Sequence, residues 1–464
     1  MVVSAMKQYT LLKAVSFIKF DSWSVRSILG TVFSYNQEFK LVTIDRLITR
    51  SKTQVDIQDN QSYKRVKIKL YNGGVFLRDV ELGENIGTKK QFLVKEGQFL
   101  LSKIDARNGA FGLATKAVNN AIITADFLAF DINQNLISAE FLVLITTTKQ
   151  FMAQSQAASK GTTGRQRINE LEFLNVKIPL PTLKVQKQLV SEYQAKIDFA
   201  NDCEKQAQEL EQSIETYLYN ELGILKANST NSHTATKLLN FTKFSKISNS
   251  WSLKLSRNLS SNLYDVVNLS ENRHLLRDIY RGKSPKYSES STCVILNQKC
   301  NRWDEVDFTY AKGVDNIWLN SIDRKLFTQK NDVLINSTGE GTIGRATVVM
   351  KDVANFLYDS HLLLLRINNE LLNSKFFVIF INSSLGQKQI SSVKSANSTK
   401  QTELGIDNCK KILFPLPPLV IQNKIAEHIT NIKSQIRELK KLAVDNRANA
   451  ILDFEKAIFH NENN

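Results

Sequence analysis

Over most of the chain, hydrophobic and polar positions alternate in short runs; twice they settle into a long helical stripe. Runs such as YKRVKIKLY (63–71), QFLLSKI (98–104) and AIITADFLAF (121–130) set β-branched and aromatic residues between Gly, Asn and Ser, which predicts short strands. CVILNQ (293–298), DVLINST (332–338) and ATVVM (346–350) predict their counterparts later in the chain. SAEFLVLITTTKQFMAQSQ (138–156) and NSKFFVIFINSSLGQKQI (373–390) read as short helices among the strands, so the class is α+β. Each set ends in a Pro-Leu-Pro corner, at Pro179 and Pro181 and again at Pro415 and Pro417. Such a corner cannot lie inside a helix and predicts an extended lead-in.

After each corner comes a long helix without internal proline. In the first, Tyr193, Ile197, Ala200, Cys203, Ala207, Leu210, Ile214 and Tyr217 recur at alternating spacings of three and four. In the second, Ile425, Ile429, Ile432, Ile436, Leu439, Leu442, Asn446 and Ala450 do the same. A stripe averaging about 3.5 residues is a coiled-coil seam, narrower than an ordinary globular face. Each helix would be about 60 Å long at about 1.5 Å per residue. Asn446 falls in the seam, where a single buried Asn fixes register.

The chain is written twice. NVKIPLPTLKVQKQLV (175–190) matches KKILFPLPPLVIQNKIA (410–426), pairing Pro179 with Pro415, Pro181 with Pro417 and Gln186 with Gln422 at an offset of 236. Upstream, FLLSKIDARNGAFGLAT (99–115) matches DVLINSTGEGTIGRAT (332–347), with Gly109 and Gly112 against Gly341 and Gly344 at an offset of 232. Trp23 pairs with Trp251 at 228. Three landmarks in one order predict a tandem duplication of two halves, each of ordinary domain size. The predicted boundaries are a globular part at 20–178, a helix at 179–225, a linker at 226–248, a second globular part at 249–412 and a second helix at 413–460.

Composition adds a polyanion to this picture. Of 464 residues, 61 are Lys or Arg and 45 Asp or Glu, for a net charge of +16. The surplus is uneven: 26–177 holds 21 basic and 14 acidic residues and 251–412 holds 22 and 16, whereas 183–222 holds 4 and 8. Two basic heads on helices of low charge therefore fit better than a basic leash, and the partner they invite is DNA or RNA. A 42% apolar content excludes a disordered chain. No apolar run reaches the roughly 18 residues of a membrane span, and the N-terminal stretch is broken by Lys7, Lys13 and Lys19, unlike a secretory signal. Four cysteines without a C-x-x-C pair and five histidines without H-E-x-x-H make a zinc site or a disulfide framework improbable and suit a reducing compartment.

Catalytic motifs fail one by one. GEGTIG (339–344) satisfies G-x-G-x-x-G after a β-run, but RATVVM follows and no crossover helix begins there, so it reads as a tight strand–strand connection. RGKS (281–284) would need a glycine at 277, where Arg277 stands. There is no N-P-P-Y or D-P-P-Y tetrad, no G-x-S-x-G elbow and no Pro-Asp dipeptide, and DEVD (304–307) has no ATP loop to serve. The reading is of a binder without its own active site, metal or cofactor.

Candidate nucleic-acid contacts lie in polar basic segments beside the β-runs, because Arg, Lys, Gln and Asn read base edges and Ser, Thr and Gly suit phosphates. In the first half these are Lys103, Arg107 and Asn108, then Lys160, Thr162, Thr163, Arg165, Gln166 and Arg167. In the second they are Arg281, Lys283, Ser284 and Lys286, then Gln298, Lys299 and Arg302, then Arg345, and finally Asn397, Thr399, Lys400 and Gln401.

Taken together, KNDVLINSTGEGTIGRA (330–346), VILNQKCNRW (294–303), FPLPPLVIQNKIAEHI (414–429), EGQFLLSKIDARNGAFGLA (96–114) and IPLPTLKVQKQLV (178–190) resemble the specificity subunit of type I restriction–modification systems. The resemblance runs from about 20 to about 459. It implies two target recognition domains, each followed by a conserved-region helix, with the helices paired as an antiparallel coiled coil through Ile197, Leu210, Ile214, Ile425, Ile432, Leu439 and Asn446. It further implies that each head reads half of a bipartite, asymmetric site in double-stranded DNA. Two methyltransferase subunits carrying S-adenosylmethionine and two restriction subunits using ATP and magnesium would complete a cytoplasmic complex in a bacterium or archaeon, with no membrane attachment and no catalysis by this chain. KGTTGRQR (160–167) and SANSTKQT (395–402) share only Gln166 and Gln401, so the heads are expected to read different sequences. Two other readings stay open: the specificity subunit of a related restriction system with a different enzymatic partner, and a coiled-coil scaffold that binds protein.

Overall fold

The computed structural model describes residues 35–160, 167–224, 259–289, 291, 293–393, 395–396 and 402–459. Trp23 and Trp251 lie outside these residues. Two compact units form: Met1–Glu204 together with Lys441–Asn464, and Lys205–Lys440. The first is discontinuous, so each unit contains a stretch of both long helices.

The first unit is built on a four-stranded antiparallel sheet in the order Ile48–Ser51, Phe127–Ile132, Phe99–Ser102, Phe111–Leu113. Phe99, Leu101, Phe111 and Phe130 face one buried cluster, which the helices Ala139–Thr146 and Lys149–Ala157 help to enclose. Capping separates the two helices. Ser138 Oγ accepts the Phe141 N–H at 3.2 Å, and Thr148 Oγ1 accepts the Phe151 N–H at 3.3 Å. A five-stranded sheet, Gln54–Asp56, Lys90–Val94, Ala121–Ile123, Ser62–Ile68, Val75–Leu82, packs its own small core beside it.

The second unit repeats the plan. Its four-stranded sheet runs Leu276–Arg281, Leu362–Ile367, Val333–Asn336, Ala346–Val348, again antiparallel. Ser374–Asn382, capped by Asn373 Oδ1 on the Phe376 N–H at 3.0 Å, and Ser384–Val393 take the place of the two helices. Its second sheet has three strands only, Lys312–Gly313, Val294–Leu296 and Leu357–Tyr358.

Each Pro-Leu-Pro corner is entered by a short strand of a two-stranded sheet, an edge position that proline's fixed φ and missing N–H allow. Lys177–Leu180 pairs with Lys40–Thr43, and Phe414–Pro415 with Val266–Val267. The paired glutamines explain how the corner turns into the helix. Gln186 is fully buried; its Nε2 donates to Pro181 O at 2.9 Å and Leu136 O at 3.0 Å, and its Oε1 accepts the Ser138 N–H at 2.8 Å. Gln422 is equally buried and does the same with Pro417 O at 2.8 Å, Leu371 O at 3.1 Å and the Asn373 N–H at 2.7 Å. One side chain in each unit therefore ties strand corner, helix start and core helix together.

The long helices span Leu183–Glu221 and Leu419–Ile458. In the second unit Ala207, Ile432 and Ile436 are buried together, flanked by Leu210, Ile214 and Leu439. The ion pairs Glu211–Lys440 and Glu221–Lys424 run in opposite chain directions, so the pairing is antiparallel. In the first unit Lys196–Asp453 and Glu204–Arg447 have the same sense. The seam departs from the strict repeat at one place. Leu442 is 45% exposed, and Ala443 is buried instead. Asn446 is half-buried and donates to Leu442 O of its own helix at 2.8 Å. Helix ends also enter the cores: Phe454, Ile458 and Phe459 join the first unit's main cluster, and Leu218, Tyr219 and Leu222 the second's. Among the described residues no helix is long and apolar enough to cross a membrane.

Candidate nucleic-acid interface

The two four-stranded sheets reveal the register of the repeat. Phe99 pairs with Leu113 and Val333 with Val348, while Ser102 N–H bonds Ala110 O as Asn336 N–H bonds Arg345 O. Gly109 therefore corresponds to Gly344, three residues on from Gly341, its partner in the sequence alignment. Both are left-handed, at φ +74° and +84°. The connection 337–344 is one residue longer than 103–109, and its wider turn is closed by Thr342 N–H and Ile343 N–H on Gly339 O. The fingerprint is thus a strand–strand connection between Val333–Asn336 and Ala346–Val348.

A small hairpin stands beside this connection in each unit, and the sequence match does not show it. In the first, Ser159–Lys160 pairs with Arg167–Ile168, and Ile168 N–H bonds Lys103 O at 2.8 Å. In the second, Ser395–Ala396 pairs with Thr402–Glu403, and Leu404 N–H bonds Ser337 O at 2.8 Å. The strand pairs that flank KGTTGRQR and SANSTKQT thus occupy the same place in the two units, although the two segments share almost no residues. The Lys160 side chain and Thr162, Thr163, Arg165, Gln166, Asn397, Thr399, Lys400 and Gln401 lie outside the described residues.

In the first unit the structure gathers four of the candidates. Lys103 follows its strand and donates its backbone N–H to Asp126 O at 2.7 Å. Arg107 and Asn108 sit in the short turn Ala106–Asn108, where Arg107 O accepts Gln156 Nε2 at 3.3 Å. Arg167 is exposed and paired with Asp126 at 3.2 Å.

In the second unit the cluster is tighter. The Thr338 hydroxyl donates to Gln298 Oε1 at 3.2 Å and lies 2.7 Å from His361 Nδ1. Asn336 Nδ2 donates to Gln298 O at 3.0 Å, and Asn301 Nδ2 donates to Asn336 Oδ1 and Arg345 O, each at 2.9 Å. These buried amides hold Gln298 and Arg345 in place from below. Arg281 pairs with Glu403 at the base of the hairpin and donates Nε–H to Ser360 O at 2.9 Å. Lys283 bridges through its backbone to Asp359, while Lys299 is exposed in the turn after Gln298. Ser284 and Lys286 lead away from the cluster, and Lys286 O accepts the Asp315 N–H at 2.9 Å. Arg302 lies 3.9 Å from Asp307 and covers the Tyr310 ring at 4.6 Å. Burial pushes the Asp359 carboxyl above the usual carboxylate range, against the opposing pull of the His361 N–H and of the charges on His361 and Lys312. Among the described residues no cluster of three or more His, Cys, Asp or Glu side chains could hold a metal ion.

His361 and Thr338 join this candidate cluster, and the sequence leaves both silent. Thr338 ends an apolar β-run, and a lone histidine carries no spacing signal.

The surface can offer cations, amides and hydroxyls on a fixed sheet edge, which is the donor and acceptor set that reads and clamps nucleic acid. The fold is similar to the crystal structure of the HsdS subunit from Thermoanaerobacter tengcongensis, with a TM-score of 0.51 at 15% identity over 91% of this chain and 96% of that one. It is also similar to a chain from a structure described as the basis of complex assembly and conformational transition of the type I R-M system, with a TM-score of 0.57 at 15% identity over 92% and 98%. No curated protein matches in sequence. The model of the type I restriction modification DNA specificity domain matches the chain twice, at 36–212 and at 279–446. Two copies of that domain, on two units of one plan, cover most of the sequence, and the chain belongs to the family of type I restriction–modification specificity subunits.

Proposed function

We infer that this chain is the DNA-reading subunit of a type I restriction–modification complex, with each unit contacting one half of a bipartite, asymmetric duplex site. The observation that carries this reading is the duplicated surface. A four-stranded sheet, a left-handed glycine connection and an adjoining hairpin recur in both units, while the polar residues mounted on them differ. A conserved frame with divergent side chains is what two independent readers need. The charge supports a polyanion, since both heads are basic and the first helix is acidic. Chemistry then falls to partners: two methyltransferase subunits, which would bring S-adenosylmethionine, and two restriction subunits, which would use ATP and magnesium. The paired helices offer the docking surface for the former. The complex works where DNA is, inside a bacterial or archaeal cell.

The test is a domain exchange read by methylome sequencing. The segment 20–178 is replaced, together with 441–459, by the matching segments of a relative. Residues 441–459 must travel with it because Phe454, Ile458 and Phe459 are part of that core. One half of the methylated motif should change and the other stay. A motif changed in both halves, or a chain that binds protein but no DNA at any salt concentration, overturns the reading.

A further inference from the structure

Each unit also holds out an exposed aromatic ring that its fold does not need. In the first, strands Ser62–Ile68 and Val75–Leu82 form a ribbon whose turn is closed by Gly73 N–H on Leu70 O at 3.1 Å. Its two central residues, Tyr71 and Asn72, lie at φ 56° and 55°. Turns of this kind favour Asn and Gly; a bulky tyrosine at positive φ is strained. Two hydrogen bonds to the sheet connection hold it there: Tyr71 N–H to Asn108 O at 2.7 Å and Asn72 N–H to Gly109 O at 2.8 Å. A Cβ on Gly109 would sit 3.0 Å from Asn72 N, so that glycine is needed for the docking as well as for its φ. The outcome is a Tyr71 that is 81% exposed, next to Asn108 and Arg107.

The second unit reaches the same result by another route. The turn between Asn301 and Val306 bridges those two residues, and Thr347 Oγ1 donates to Arg302 O at 2.7 Å, tying the turn to the strand Ala346–Val348. Asp304 lies at φ 68°. Trp303 is 44% exposed, and the Arg345 guanidinium is 5.6 Å from its ring centroid. Arg345 in turn donates to Gly341 O at 3.3 Å, on the connection that leads to Thr338 and Gln298.

Strained backbone persists only where its surroundings enforce it, and it gathers at functional positions. Here the connection that carries the candidate DNA contacts holds the Tyr71 turn, and the strand that follows it in the second unit holds the Trp303 turn; the product in each is an exposed flat apolar face, with the Arg345 guanidinium beside the second. Such a face suits duplex DNA, whose phosphates are anionic and whose bases offer thymine methyls and base steps to an apolar contact or wedge. The geometry points to Tyr71 and Trp303 as base-contacting residues, one for each half-site. The assignment rests on the DNA-reading function inferred above.

The test uses the full chain and a pool of duplexes with randomised half-sites. Tyr71→Ala should lose about fivefold or more in affinity for the selected duplex, and its preference should relax in one half-site only. Trp303→Ala should do the same in the other half. Tyr71→Phe keeps the ring face and should stay within about twofold of wild type. The part of the tryptophan emission that disappears in Trp303→Phe should be quenched by the selected duplex. If wild type selects a bipartite sequence while both alanine variants select it with unchanged affinity, the aromatic assignment falls and the DNA reading stands. Unaltered Trp303 emission on binding, or variants that keep DNA affinity but lose the methyltransferase subunits, overturns it equally. Should Tyr71→Ala misfold by circular dichroism, Tyr71→Asn, which suits the positive φ of that turn, takes its place and should show the same loss, and unchanged affinity overturns the assignment; for Trp303 the emission decides. A wild-type chain that selects no sequence defeats the inferred function itself.

Discussion

At the scale of single residues, buried polar groups matter more than the surface charges that first catch the eye. Gln186 and Gln422, both buried, each satisfy three backbone groups, one buried and two part-buried. Truncation strands those groups and opens a cavity, at about 1–3 kcal/mol for each unsatisfied group. Gln186→Ala or Gln422→Ala should therefore lower the thermal midpoint by an amount equivalent to roughly 3 kcal/mol or more. Gln188→Ala, on the exposed face of the same helix, should stay within about 0.5 kcal/mol. Asp359 offers a pH test. Its folded-state pKa is raised above the ordinary 3.8 mainly by burial, so its ionisation opposes folding. That penalty is absent below pH 3.8, grows as pH rises through the raised value and stays in full above it. Asp359→Asn keeps an acceptor for the His361 N–H, now made at 3.0 Å, and cannot ionise. Thermal melts should find the variant at least as stable as wild type at pH 7, with the gap closing as pH falls towards 4. A variant clearly less stable at pH 7 would mean that the carboxylate has a compensating partner.

At the scale of elements, the helices are held by apolar contact more than by their ion pairs. Glu211–Lys440 and Lys424–Glu221 are substantially solvent-exposed, and such pairs contribute about 0–1 kcal/mol each. Ile432 is 8% exposed and Leu210 only half-buried. A charge at the first site should cost several kcal/mol and at the second less. Ile432→Asp is expected to destabilise the second unit and to abolish assembly with the methyltransferase on size-exclusion chromatography. Leu442→Ser, in the same sequence stripe but exposed, should assemble normally. Equal effects of the two changes would mean that the seam follows the strict repeat through Leu442 after all. The reason to expect otherwise is the helical period: 3.6 residues per turn drifts about 20° per heptad from a 3.5 repeat, and here Ala443 has rotated into the position.

At the scale of the whole molecule, each long helix belongs to both units. Residues inserted at the division after Glu204 lengthen the helix that both units share. Four residues make about one helical turn and add about 6 Å, close to two base-pair steps of about 3.4 Å. If the helices set the spacing between half-sites, an insertion variant should methylate a motif with both half-sites intact and a spacer longer by one or two base pairs. Its activity should be lower, because the insertion breaks the seam's repeat. Methylome sequencing of a host carrying the variant checks both. An active variant with an unchanged spacer assigns the ruler to something other than the helices.

Much of this protein is determined by its sequence alone. The duplication, the proline corners, the two long helices and the basic heads are local or periodic properties. Proline's locked φ, a stripe averaging about 3.5 residues and a charge count need no knowledge of distant contacts. The matched glutamines were visible as a pair, but their work was not, because their partners at Leu136 and Leu371 lie some 50 residues away in the chain. Tertiary structure decided three further matters. It moved the repeat register from Gly341 to Gly344, since only strand pairing counts the residues of a turn. It put two dissimilar hairpins in one place, since backbone hydrogen bonds from Ile168 and Leu404 do not depend on side-chain identity. It completed the first unit with the far end of the chain, since the apolar face of a helix such as Phe454–Ile458 is buried by whatever surface it reaches, and sequence distance has no part in that free energy.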